Sequence, residues 1–179
     1  MRRLPVEPMR MPADLQGVDN GKLPSRLLTN ILPSGKLHHY AAESWQRLQQ
    51  QAAFEGLTLT QVGDYRPMSQ QEHLFLLRMR KYPDAKRNVQ TTRTWNGETW
   101  YLHTGAPVAT PGTSNHGWGL AIDVALRVNG RAIPITAKPE GAWRSGLKFL
   151  RKVAPGLGWS WELQDEPWHI RYVLGRRLG

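Results

Sequence analysis

"GLAIDVALRVNGRAIPI", residues 119–135, alternates small and branched apolar residues up to an Asn-Gly pair at 129 and 130, then resumes. An Asn-Gly pair between two such runs signals a tight hairpin, because both central residues tolerate positive φ. The stretch therefore predicts two antiparallel strands. Ile122, Val124 and Leu126 share one face of the first strand, while Ala121, Asp123 and Ala125 share the other. A carboxylate between two alanines on an inward-looking face is expensive without a partner. A buried ion pair or backbone donors would satisfy it; the small neighbours also leave room for a metal or ligand.

Upstream, Ala41, Trp45, Leu48 and Ala52 recur at helical spacing from His39 to Phe54, and Gly56 closes that helix. "LTLTQVGDY" then alternates as a short strand. "SQQEHLFLLRM" predicts a second helix, with Ser69 as N-cap, Glu72 as its capping-box partner and a Leu74, Leu77 pair beyond. Residues 81–112 lack a helical period, and Asn-Gly in "TTRTWNGETWYLHTG" suggests a hairpin or broad loop. "AWRSGLKFLRKVAPG" places Trp143, Leu147, Leu150 and Ala154 on one face of a third helix, and "EPWHIRYVL" ends the chain on a strand. Helices followed by short strands, with no regular βαβ rhythm, predict an α+β domain: helices packed on a small, mainly antiparallel sheet. Residues 1–36, rich in Pro, Gly and Asn, predict an irregular arm laid on a domain of residues 37–179. Its anchors would be Leu15, Leu23, Leu27, Leu28, Ile31 and Leu32.

The composition removes several chemistries. With no cysteine in 179 residues, disulfides and thiolate metal sites are excluded, and any metal must sit on His, Asp or Glu. Neither glycine fingerprint of the Rossmann or P-loop folds is present. No apolar run approaches a membrane span, so no membrane insertion is expected. "LPVEPMRMPADL" breaks any signal-peptide core with prolines, a glutamate and an arginine. The expectation is synthesis in the cytoplasm without a signal peptide. A formal charge of +10, with clusters at "RMRKYPDAKR" and "RYVLGRRLG", favours an anionic partner. No zinc-finger, RNP or recognition-helix pattern accompanies it, so nucleic acid is not the expected one.

His116 lies in "GTSNHGWG", a glycine-rich turn from which an imidazole can reach the strand carrying Asp123. Ser114 can cap that turn or hydrogen-bond a neighbouring group. Near the end, "DEPWHIRY" adds Glu166 and His169. Two imidazoles and a carboxylate are a normal ligand set for catalytic zinc, leaving a position for water. A second carboxylate that is not a ligand can take that water's proton. Glu166, held by Pro167 at a fixed offset from His169, has that chemistry; Glu162 and Asp165 are rivals by position.

Ser114-x-His116-x-x-Gly119-x-Ala121-x-Asp123, followed by Glu166-Pro167-Trp168-His169 and Tyr172, resembles the signature of VanY-like D-alanyl-D-alanine carboxypeptidases. These belong to peptidase family M15, which also includes bacteriophage L-alanyl-D-glutamate endopeptidase endolysins. "DYRPMSQQEHLF" is similar to the family's Tyr-Arg-Ser segment, with Arg66 and Gln71 in place and Pro67 where serine is usual. The resemblance covers roughly residues 40–175. It implies a hedgehog/DD-peptidase-like fold and one Zn2+ per chain on His116, Asp123 and His169. It also implies Glu166 as catalytic base and Arg66 beside the substrate, stabilising a carbonyl oxygen or pairing with a carboxylate. Gln71, Ser114, Trp118, Trp168 and Tyr172 would bind substrate or support the ligands.

The expected activity is zinc-dependent hydrolysis of peptide bonds in peptidoglycan stem peptides or cross-links. Positive charge without a secretion signal favours an endolysin that reaches the wall after release, adheres to anionic wall polymers and acts as a monomer. A D-alanyl-D-alanine carboxypeptidase of wall metabolism is the alternative within this chemistry. Outside it stands a non-catalytic wall-binding module, against which the presence of Glu166 argues.

Overall fold

A computed structural model describes residues 3–83, 91–136 and 141–179. The basic residues at 86 and 87 and the Trp143 side chain, both invoked above, lie outside the described residues. The quoted stretch forms β7 (Ala121–Val128) and β8 (Arg131–Pro134), an antiparallel hairpin with Asn129 and Gly130 both at positive φ. β7 organises the main sheet. It pairs with β3 (Leu59–Gly63) along one edge, while β8 and β10 (His169–Tyr172) pair with its successive halves. β9 (Trp159–Trp161) extends the sheet beyond β10, and every pairing is antiparallel. β1 (Leu28–Asn30) and β2 (Lys36–His38) form a separate ribbon. β4 (Met79–Arg80), β6 (Glu98–Leu102) and β5 (Thr92–Trp95) form a third sheet, the last two joined by the expected Asn96-Gly97 turn. The architecture is α+β, helices on small antiparallel sheets.

α1 (His39–Phe54) lays Ala41, Trp45, Leu48 and Ala52, each fully buried, against the main sheet. They meet Ile122, Val124 and Leu126 of β7, Leu150 of α3 (Ala142–Val153), Trp159 and Trp161 of β9, and Ile170 of β10 in one apolar cluster. A smaller cluster, Phe75, Met79, Trp100, Leu102 and Val108, sits under the third sheet.

α2 (Met68–Arg78) departs from the expectation at its start. Pro67 occupies the cap position and no side chain caps the helix, so Ser69 and Glu72 do not form the expected box. The reason is tertiary: the Met68 N–H donates to the Gly21 carbonyl of the arm at 2.8 Å, which supplies what a capping side chain would. Its inward face carries Gln71 and Phe75, whereas Leu77 is 51% exposed. In the arm, Leu15, Leu23, Leu27 and Ile31 are buried and Leu28 half-buried, but Leu32 is 74% exposed where the chain leaves β1 for the turn before β2. The arm is also less irregular than its composition suggests, since β1 belongs to it. Among the described residues, no helix is long and apolar enough to cross a membrane.

Candidate active site

Two strands and one turn bring the candidate residues together. In the β7–β10 pairing His169 stands directly opposite Asp123. Gly119, in the left-handed region at φ 64°, ends the 3-10 turn Asn115–Trp118 that presents His116 to the same point. His169 Nδ1 lies 2.9 Å from Asp123 Oδ1, and His116 Nε2 lies 3.4 Å from the same oxygen. The two imidazole centres are 5.0 Å apart. Both histidines are buried.

Each imidazole is oriented by a bond from its other nitrogen. His116 Nδ1 donates to the Asp64 carbonyl at 2.9 Å, which turns Nε2 toward Asp123. His169 Nε2 lies 3.0 Å from Glu162 Oε2, which also accepts from Asn115 Nδ2 at 2.8 Å. Burial alone would raise the Asp123 pKa, but hydrogen bonds from His116 and His169 outweigh it and hold the group well below the ordinary carboxylate range. The bond from His169 holds Glu162 at about 2. Burial lowers His169 itself, yet Asp123 and Glu162 together raise it to about 9. These groups favour a positive charge between them, and a proton or a cation can supply it. The donor set fits Zn2+: two imidazole nitrogens and one carboxylate oxygen, all within 4.8 Å of one another, with both nitrogens' tautomers fixed from behind.

The cluster lies in a cleft of about 580 Å³ that Arg66, Ser114, Glu162, Asp165, Glu166 and Trp168 also line. Glu166 differs from its rivals in environment. Burial raises its pKa, so its carboxylate is the more willing proton acceptor, whereas Glu162 is committed to His169 and Asn115. Asp165 is exposed at the rim. The turn holding Glu166 is closed by His169 N–H donating to the Glu166 carbonyl at 3.0 Å, and Trp161 Nε1 secures the Pro167 carbonyl at 3.0 Å. The Arg66 amide donates to the His116 carbonyl at 3.0 Å, placing the arginine beside the cluster. Burial lowers its pKa, and Asp123 opposes that shift.

Several expected residues lie elsewhere. Tyr172 is fully buried on the core face of β10 because strand alternation puts it opposite to His169; its hydroxyl donates to the Arg176 carbonyl at 2.7 Å. Trp118 packs on the main core and is not part of the cleft lining. Gln71 is also off the lining: its amide donates to the Arg66 carbonyl and to Asn20 Oδ1, each at 3.0 Å, and accepts from the Gly112 amide at 3.0 Å. It ties the Arg66 segment to the arm and is not available to a substrate. Ser114 occupies the cap position of the His116 turn without a side-chain capping bond.

Three supports carry no recognisable sequence pattern. Asn20, buried in the arm, donates from Nδ2 to the Ser114 carbonyl at 2.8 Å across 94 residues of chain, and the Gly21 amide donates to the Gly117 carbonyl at 2.8 Å. Gly63 sits at a register shift in β3 opposite Asp123, where a Cβ would collide with Asp123 Oδ2. Glu162 is the third; position names it only as a rival base, and its pairing with His169 appears only in the fold.

A second group, Asp14, His38 and His39, is also compact enough for a metal. His38 Nδ1 accepts from the Tyr40 amide at the start of α1, so Nε2 keeps its proton and donates to Asp14 Oδ1 at 3.1 Å. His39 Nε2 meets Asp14 Oδ2 at 2.6 Å. The group is a hydrogen-bonded latch between arm and helix.

The model for VanY, D-alanyl-D-alanine carboxypeptidase, matches residues 34–175. A D-alanyl-D-alanine carboxypeptidase of Enterococcus faecalis (strain ATCC 700802 / V583) is 30% identical over 134 residues, covering 72% of this chain and 45% of its own. The chain thus spans under half the length of that relative. Among solved structures, VanYB in complex with D-alanine-D-alanine superposes with TM-score 0.55 at 20% identity, over 82% of this chain and 76% of the other. The LdcB LD-carboxypeptidase gives TM-score 0.54 at 21% identity, over 86% and 71%. These likenesses bear on fold, and the family match covers both motifs of the cleft: the chain belongs to the VanY, D-alanyl-D-alanine carboxypeptidase, family.

Proposed function

We propose that this chain is a zinc-dependent carboxypeptidase that removes the C-terminal residue from peptidoglycan stem peptides ending in D-alanyl-D-alanine. The observation that carries the reading is the joining of His116, Asp123, His169 and Glu166 in one cleft of a VanY-family chain. His116 Nε2, Asp123 Oδ1 and His169 Nδ1 would hold the ion. A bound Zn2+ supplies Lewis acidity toward a carbonyl and acidifies water. Glu166 accepts the water's proton and returns it to the leaving amine; its raised pKa suits both steps. Arg66 donates to oxygen that gains charge, or to the terminal carboxylate. Trp168 walls the cleft, and Glu162 keeps the His169 ring in its tautomer.

The family description and the E. faecalis relative favour this carboxypeptidase over the endolysin expected from charge. The site of action would be the bacterial wall, where the chain's +10 charge aids adherence to anionic polymers. The test is Glu166→Gln in zinc-loaded protein, assayed on defined stem peptides with products weighed by mass spectrometry. Release of free D-alanine, with turnover about 10²–10⁴-fold lower in the variant at equal zinc content, is the expected outcome. Two larger fragments would restore the endopeptidase reading. Full activity of Glu166→Gln would remove Glu166 from the chemistry.

A further inference from the structure

Arg78 and Arg93 reach the cleft from outside both sequence motifs. Arg78 ends α2 and donates from Nη1 to the Ala106 carbonyl at 3.2 Å. Arg93 on β5 donates from Nε to the Val108 carbonyl at 2.9 Å and from Nη1 to the Thr92 carbonyl at 2.8 Å. These bonds hold both guanidiniums against the wall segment 106–109, which also lines the cleft. With one and two of five N–H groups engaged, each keeps donors for a ligand. Arg78 is close enough to Arg66 for their charges to repel, and among the described residues none of the three arginines forms an ion pair. Glu162, Asp165 and Glu166 line the same cleft. Its lining therefore includes a basic group and an acidic group besides the His/Asp cluster.

Arg66 has the counter-charge of Asp123 nearby, whereas Arg78 and Arg93 line the cleft without an ion pair among the described residues, so an anion beside them meets uncommitted positive charge. On the carboxypeptidase reading, on which this inference rests, the leaving residue brings one carboxylate, and Arg66 beside the cluster can meet it. Arg78 and Arg93 then have no partner from that residue. We infer that Arg78 and Arg93 form a second anion subsite, selecting peptides with a free carboxylate on a residue preceding the scissile bond. Such a group arises wherever a residue is linked through its side-chain carboxyl and keeps its α-carboxylate free. Two anion sites, Arg66 near the reacting carbonyl and the Arg78 and Arg93 pair upstream, would set both identity and register of the substrate.

The test uses two peptides differing only in that upstream group, free acid against carboxamide, with the zinc-loaded chain. Wild type is expected to favour the acid in kcat/KM by about tenfold or more, the scale of one charge-assisted hydrogen bond. Arg78→Gln and Arg93→Gln should each shrink that ratio, and the double variant should bring it near one. Arg78→Lys, which keeps the charge, should retain part of it. A merely structural loss of the 106–109 wall would slow both peptides alike and leave the ratio intact, overturning the inference. So would equal use of both peptides by wild type. If wild type cleaves neither, the peptidase reading fails by itself. Calorimetry with the same peptides then decides the subsite, since a preference for binding the acid that is lost in the double variant supports it and equal binding of both overturns it.

Discussion

Asn20→Ala isolates what the arm contributes to the active-site turn. The substitution removes two buried hydrogen bonds, Nδ2 to the Ser114 carbonyl and Gln71 Nε2 to Oδ1. Each contributes about 0.5–1.5 kcal/mol net, and the small void left behind adds to the loss. Neither partner is wholly orphaned: the Ser114 carbonyl still accepts from the Gly117 amide, and Gln71 still donates to Arg66. The sum is about 2–4 kcal/mol, which for a chain of this size lowers Tm by roughly 5–15 °C. Thermal unfolding at saturating zinc reads the stability, and chelator competition reads zinc affinity, which should fall because His116 belongs to the same turn. Asn20→Asp separates hydrogen bonding from volume. It keeps the shape but turns a carboxylate oxygen toward the Ser114 carbonyl, so it should be at least as damaging as alanine. A Tm within about 1 °C of wild type for Asn20→Ala, with unchanged zinc affinity, would refute the buttressing role.

Glu162→Gln should weaken zinc binding about 10–100-fold, the usual effect of removing a carboxylate behind a ligating histidine, while far-UV circular dichroism stays unchanged. Gly63→Ala should lower zinc affinity by displacing Asp123 and leave Trp45 and Trp159 fluorescence, which reports the core, as in wild type. Burial depresses His38 below its ordinary 6.5, so the unfolded chain binds that proton more readily. Its contribution is therefore complete above about pH 6.5 and is lost as pH falls toward the folded value. The stability difference between wild type and His38→Gln should shrink from pH 7 to pH 5, measured by denaturant unfolding; a constant difference would contradict this. Leu32→Ser, at a 74% exposed position, should change stability by less than about 0.5 kcal/mol despite removing an apolar side chain.

The hairpin over β7 and β8 and the periodicity of α1 were legible because local pattern and tertiary burial agree there. His116, Asp123 and His169 converge as the motifs imply, since a fixed spacing on a turn and on a paired strand survives translation into space. What the sequence concealed is non-local. The start of α2 depends on a carbonyl from Gly21, so a plausible Ser69 cap goes unused. Tyr172 lies within the motif yet belongs to the core, because motif membership does not state which strand face a residue takes. Asn20 sits in a segment whose composition suggests only turns, outside the family match that begins at residue 34; its role arises from a partner 94 positions away. Gly63 reads as a strand end until Asp123 is placed beside it.

The register that sets His169 against Asp123 also ties an ion to the lifetime of a sheet. Next to that pair the Val124 amide donates to the Trp168 carbonyl at 2.8 Å, so β7 and β10 cannot part there without separating two of the proposed ligands. Amide exchange along β7 and β10 would then report zinc as directly as any binding assay. With the ion held only by the closed pairing, each tenfold rise in free zinc above Kd adds about 1.4 kcal/mol to the opening free energy, slowing exchange tenfold. The exchange of β5 and β6, in a different sheet, would keep its own pace.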